Sequence, residues 1–207
     1  MPCAPAPHRP PHRTIPPRPW APLSDAAWTA LLPHVLPRAP QGRRVSDLRR
    51  RMDGVFWIAA SRGAPWRDLP ERFGKPDTVA RFFRRLTHNG LWHRLLAELA
   101  HADADHPIQH LAHAICRAAR RAARIGGLAL IVLIRRLGLH TALNGPPWLL
   151  PDPVLSETLA GYPIPRPDLA RHGHKGAAWS LLRSLRRLWR DAAGRARIPP
   201  AVRWAWA

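Results

Sequence analysis

The sequence predicts a mainly α-helical protein: a helix-turn-helix-like N-terminal domain followed by a helical extension with Pro-rich loops. Three observations predict it. Apolar residues recur at i, i+3, i+4 and i+7 in successive segments, the period of one face of a helix. Proline and glycine clusters separate those segments and interrupt them where a helix must end. The one β-branched run, around Ile131-Val132, has no companion strands elsewhere, so it reads as helix.

In chain order, residues 1–22 hold nine prolines among arginines and histidines. Such a segment cannot form a helix and has little to bury, so it is expected to be a disordered or polyproline leader. Ser24 caps a first helix with Trp28, Leu31, Leu32, Val35 and Leu36 inward, and Pro33 predicts a kink or stop near Leu32. Residues 38–44 are a linker. Val45, Leu48, Met52, Val55, Phe56 and Ala59 then define a second helix, broken at Gly63-Ala64-Pro65. A third starts near Pro76-Asp77-Thr78, capped by Asp77 or Thr78, with Val79, Phe82, Phe83 and Leu86 inward. Asn89-Gly90 ends it, and Leu91, Trp92, Leu95, Leu96 and Leu99 begin a fourth. Between the second and third helices, Trp66 and Phe73 are expected to plug the junction, with Asp68 pairing with Arg67 or Arg72 or capping the next turn.

The bounds are set by 207 residues and a formal net charge of +20, from 33 Lys+Arg against 13 Asp+Glu. That excess points to nucleic acid or an anionic surface and away from an acid-rich catalytic site. Arginine supplies nearly all of it, and abundant Ala, Pro and Arg also suit a GC-rich gene, so arginine abundance alone says little. The longest apolar run, 125–134, is about half of a membrane span, and the first twenty residues lack the apolar core of a secretory signal. Cys3 and Cys116 make no disulfide framework, which suits a reducing cytoplasm.

The third helix carries the functional reading. Arg81, Arg84, Arg85 and His88 fall opposite its apolar seam, and Arg43, Arg44, Arg49 and Arg50 cluster at the start of the second helix, mostly off its apolar face. A helix that presents core on one side and cations on the other is suited to lie between a protein and a polyanion. The turn-linked arrangement matches a helix that enters the major groove of duplex DNA. The competing reading is a solvated basic face on a small helical domain.

Leu23-Ser24-Asp25-Ala26-Ala27-Trp28, Gly63-Ala64-Pro65-Trp66-Arg67-Asp68-Leu69-Pro70-Glu71-Arg72-Phe73-Gly74, Phe82-Phe83-Arg84-Arg85 and Gly90-Leu91-Trp92, in that order, resemble the N-terminal domain of bacterial insertion-sequence transposases. The resemblance covers residues 23–100. It implies a helical, DNA-associated module, which in that family precedes a ribonuclease-H-like domain with an Asp-Asp-Glu triad. Lys75-Pro76-Asp77 departs from the family, whose members commonly carry an aromatic and an amide there.

The second half departs further. After a polar hinge at 101–106, Ile108, Leu111, Ile115, Ala118, Ala122 and Ile125 form an apolar stripe, broken at Gly126-Gly127. Arg117, Arg120, Arg121 and Arg124 form a basic one, suited equally to phosphate or to water. Residues 151–176 read as irregular. A helix follows over 177–193, with Leu181, Leu182, Leu185, Leu188 and Trp189 inward, and Trp204 and Trp206 close the tail. His106, His110, His113 and Cys116 have helical spacing, but four groups spread over several turns exceed one zinc sphere, so no metal is expected. The acids after Ala100 are Asp103, Asp105, Asp152, Glu157, Asp168 and Asp191, none at the end of a strand, where two-metal strand transfer would need them. No catalytic residue and no cofactor is assigned.

Three domains are expected: a leader at 1–22, a transposase-like DNA-binding domain at 23–100, and an extension at 101–207 of unassigned role. The leading reading is a transposase-related DNA-binding protein without its own catalytic domain. The alternatives are a fragment completed by another reading frame, and a repressor or interaction protein on the same domain. Duplex DNA is the expected partner and a membrane is not. Association with a second copy or with a catalytic partner chain is left open.

Overall fold

The computed structural model describes residues 13–36, 47–61, 63–164, 176–195 and 197–206, with the side chain of Trp204 excepted. Helices α1 (Asp25–Val35), α2 (Leu48–Ala60), α3 (Pro76–His88), α4 (Leu91–His101), α5 (Ala112–Arg136), α6 (Pro153–Ala160), α7 (Ala177–Ala193) and α8 (Pro200–Ala205) follow in order. Short 3-10 turns stand between them, and the described residues contain no named strand. Mainly helical is therefore the observed class. These residues divide into two compact units, 13–144 and 145–206. The N-terminal unit thus runs past residue 100 through α5, which packs on α2, α3 and α4.

In the N-terminal unit the apolar stripes converge. Met52, Val55 and Ile58 of α2, Val79 of α3, Leu91, Trp92, Leu95, Leu96 and Leu99 of α4, and Ile115, Ala118, Ala119 and Ala122 of α5 are all fully enclosed. The alanine-rich seam of α5 lets three helices approach it closely. Gly54 does the same on α2, where an added Cβ would lie 2.8 Å from Phe73 Cβ.

The helix ends follow local chemistry. Ser24 Oγ accepts the Ala27 N–H at 3.2 Å, the expected cap. Helix α1 continues through Pro33 to Val35, past the stop expected near Leu32. Neither Asp77 nor Thr78 caps α3. Pro76 occupies the first helical position after Lys75, where a missing N–H costs nothing and its fixed φ suits the helix. At Gly127, φ is +60° and ψ −149°, so α5 kinks where Gly126-Gly127 predicts a break.

The leader differs from expectation where it is described. Arg13 forms an isolated parallel bridge with Leu139: the Arg13 N–H donates to Gly138 O at 2.9 Å, and the His140 N–H to Arg13 O at 3.2 Å. Further on, Ile15 N–H donates to Thr141 Oγ1 at 2.9 Å. The Trp20 ring meets Phe73 edge-on at 5.7 Å. Proline forbids a helix but not an extended strap held by its remaining amides and one aromatic ring.

The C-terminal unit also corrects the sequence reading. Residues 153–160 are helical because Asp152 caps the Val154 and Leu155 N–H groups at 3.1 Å each and Pro153 takes the first helical position. Leu159, Leu185 and Ala192 form its cluster with Leu155 and Leu181 against it. Leu188 and Trp189, expected inward, are each 40% exposed. The eight-residue α6 covers only the middle of the wide α7 stripe, leaving both flanks in solvent. Trp206, the residue after α8, has its ring edge-on to Trp148 at 5.9 Å.

Candidate nucleic-acid interface

Helix α3 separates its two chemistries by its own periodicity. Val79, Ala80, Phe82, Phe83, Leu86 and Thr87 are buried, whereas Arg81, Arg84, Arg85 and His88 are exposed along the opposite side. Two tryptophans pack against its inner face. The Trp66 ring lies 5.3 Å from Phe83 and the Trp92 ring 5.5 Å from it on α4. Trp92 Nε1 donates to Thr87 Oγ1 at 2.9 Å, and that hydroxyl donates to Phe83 O at 2.9 Å. Both polar groups of the α3–α4 corner are thereby satisfied without water, as burial requires. The outer face rests on a rigid support.

Among the described residues no ion pair engages Arg81, Arg84, Arg85 or His88. The nearest acid in sequence, Asp77, sits in the first turn of α3, where it complements the helix dipole. Lys75 is exposed just before the helix, and Arg51 lies over the Phe82 ring at 5.9 Å, extending positive charge toward α2. Neither is marked by the spacing within α3, since each belongs to a neighbouring segment.

The arginines at the start of α2 separate. Arg50 is exposed. Arg49 turns inward instead: its guanidinium pairs with Asp25 Oδ1 at 2.6 Å and donates to Leu23 O. Asp53, one turn on, accepts the Leu23 N–H at 2.8 Å. Burial raises the Asp53 pKa, with that hydrogen bond and Arg49 opposing the rise. Arg49 and Asp53 thus hold both backbone polar groups of one residue, Leu23, just ahead of α1. Arg43 and Arg44 lie outside the described residues, as do Cys3 and Asp168.

The α5 arginines are likewise divided. Arg117 Nε donates to Ala59 O at 3.3 Å, satisfying a carbonyl in the last turn of α2 that has no helical partner. Arg121 donates to Ala64 O at 2.9 Å and stacks over Trp66 at 4.6 Å. Burial and Arg124 lower the Arg121 pKa. Arg117 thus holds the end of α2, and Arg121 secures the Gly63–Trp66 loop that follows it. Arg124 is exposed. Asp68 lies 3.7 Å from Arg67, with side chains 51% and 87% exposed, a contact worth little in water.

A concavity of about 470 Å³ lies beneath the strap, lined in part by Arg13, Arg18, Gln109 and His113. Burial lowers the His113 pKa, and Arg117 adds to this, while a hydrogen bond with the Arg18 backbone opposes it. Cys116 nearby is fully enclosed, and burial pushes its thiol up to about 12. His106 Nδ1 accepts the Ile108 N–H at 3.3 Å. Among the described residues, His106, His110, His113 and Cys116 do not gather into a group able to hold a metal ion. No described helix is long and apolar enough to cross a membrane.

Residues 23–96 match the family model described as "Putative transposase of IS4/5 family". An uncharacterized protein of Sinorhizobium fredii, y4sN, is 36% identical over 85 residues, an alignment covering 40% of this chain and 66% of that relative. No solved structure matches the chain. Residues 23–96 therefore resemble the N-terminal region of insertion-sequence transposases.

Proposed function

We propose that residues 23–100 are a DNA-binding module, that its α3 face is what meets the duplex, and that the chain supplies no strand-transfer chemistry of its own. Arg81, Arg84, Arg85 and His88 approach a groove, and Arg50 neutralises backbone phosphate, joined by Arg43 and Arg44 ahead of α2. The carrying observation is that four exposed basic side chains line a helix whose other side is wholly committed to the core. A merely solvated face would not need so rigid a backing. Arg49 is left out of the contact set because Asp25 and Leu23 already hold it.

Duplex binding should weaken steeply with salt. Displacing counterions from about four phosphates gives a log–log slope of at least about −3.6 in magnitude. Arg81→Ala with Arg85→Ala should make that slope shallower by about 2 and weaken binding roughly tenfold or more. Arg50→Ala should act in the same direction, whereas Arg49→Ala should lower thermal stability and leave the slope in place. Fluorescence anisotropy across a salt series reads all four. A salt-independent affinity, or an α3 variant indistinguishable from wild type, would sink the proposal.

The absence of chemistry rests on where the carboxylates sit. Asp103 and Asp105 are exposed in the turn after α4, Asp152 is consumed as the α6 cap, and Glu157 and Asp191 are exposed on helices. Two-metal strand transfer needs ions about 3.5–4 Å apart held by convergent acids. A supercoiled plasmid incubated with the chain and Mg²⁺ or Mn²⁺ should remain intact. Nicking abolished by Asp103→Asn, Asp152→Asn or Asp168→Asn, with binding preserved, would overturn this half of the reading.

A further inference from the structure

The C-terminal unit carries a basic face that the transposase-like region does not explain. Arg183, Arg186, Arg187 and Arg190 of α7 are exposed, and no hydrogen bond or ion pair engages them among the described residues. They stand at i, i+3, i+4 and i+7, the spacing of Arg81, Arg84, Arg85 and His88 on α3. The opposite side of α7 buries Leu185 and Ala192 against Leu159 and Leu155 of α6, so the arginine side is held outward.

We infer that this α7 face is a second binding surface for the phosphate backbone of duplex DNA, separate from α3. Four like charges at these spacings repel one another along the helix surface, each close pair destabilising it slightly. Asp191, the one acid of α7, stands at i+4 from Arg187 and can offset no more than one of the four charges. Packing of α7 against α6 does not require the arginines, because the apolar seam supplies it. A polyanion turns the mutual repulsion into attraction, and planar guanidinium groups match phosphate oxygens in pairs. An anionic lipid surface fits less well. A helix lying in a membrane interface inserts its apolar side, and on α7 the centre of that side is already covered by α6. The face lies outside residues 23–96, so its binding does not depend on the α3 reading.

The test uses the full chain in three forms: wild type, a variant with Arg183→Gln, Arg186→Gln, Arg187→Gln and Arg190→Gln, and one with Arg81→Gln, Arg84→Gln and Arg85→Gln. Each is titrated with a mixed-sequence duplex across a salt series and floated with phosphatidylserine vesicles, and circular dichroism checks that the helices persist. The α7 variant should keep its helicity and show a salt slope shallower by about 3.6, about 0.9 for each lost contact. It should also bind duplex at least tenfold more weakly at low salt. An α7 variant that matches wild type on DNA while the α3 variant weakens overturns this inference and leaves the α3 proposal standing. The reverse pattern keeps this inference and removes the α3 proposal. Loss of vesicle binding with DNA binding intact assigns the face to lipid and also overturns it.

Discussion

Trp92→Ala should destabilise the N-terminal unit by about 3–5 kcal/mol, the range for removing a large enclosed aromatic side chain. Trp92 has no solvent exposure, and its ring packs 5.5 Å from that of Phe83. Alanine would leave a cavity between α3, α4 and their neighbours and strip the Thr87 hydroxyl of the N–H it accepts. The hydroxyl would still donate to Phe83 O, which limits the polar part of the loss. Since a domain holds only about 5–15 kcal/mol in total, the unit would sit near its unfolding threshold. Chemical denaturation followed by circular dichroism measures the change. Trp92→Phe retains most of the apolar contact and should cost less, about 1–2 kcal/mol for the unmade hydrogen bond and the smaller ring. A loss below about 1 kcal/mol for alanine would mean that the corner does not support α3 as described. Because the same ring backs the basic face, Trp92→Ala should also weaken DNA binding without removing a charge.

Gly194→Ala should be as damaging to the C-terminal unit. Gly194 follows α7 with φ +70° and ψ −172°, a conformation that side-chain-bearing residues adopt only at a cost of about 1–3 kcal/mol. An added Cβ would also lie 2.6 Å from the Leu150 carbonyl carbon and 2.7 Å from Pro151 N. These are backbone atoms, and they cannot easily retreat. The Arg195 N–H donates to Leu149 O at 2.9 Å, and the Asp152 N–H donates to Ala192 O at 2.8 Å, pinning the two segments together on either side. Strain and overlap together should exceed about 3 kcal/mol, which a unit of this size cannot absorb. Limited proteolysis should then cut between residues 145 and 206 under conditions that leave wild type whole. Gly161→Ala is the control. Its φ is −82° and an added Cβ would meet nothing nearer than 3.8 Å, so stability should be unchanged or slightly raised. Equal resistance of the two variants would show that the 150–152 and 192–195 crossing is not close-packed.

The sequence by itself determined most of the longer helices and which side of most of them is apolar, but not the short α6, which it read as irregular. The α3 stripe, the Ser24 cap and the interruption at Gly127 rest on interactions within a turn or two, and the structure has them where local pattern puts them. For the same reason the exposure of Arg81, Arg84, Arg85 and His88 was legible: burying Phe82 and Phe83 forces their neighbours outward. Tertiary structure alone decided what a cation or an apolar flank meets. Arg49, Arg117 and Arg121 share the composition of the exposed arginines, yet they turn to carbonyl groups at Leu23, Ala59 and Ala64. The last two acceptors lie more than fifty residues away in sequence. Leu188 and Trp189 have inward periodicity but no neighbour wide enough to cover them, and the Pro-rich strap finds Gly138 and Thr141 only because α5 folds back to present them. Periodicity specifies a face, but the partner that covers that face or engages its charge is fixed by contacts between distant segments, which no local spacing encodes.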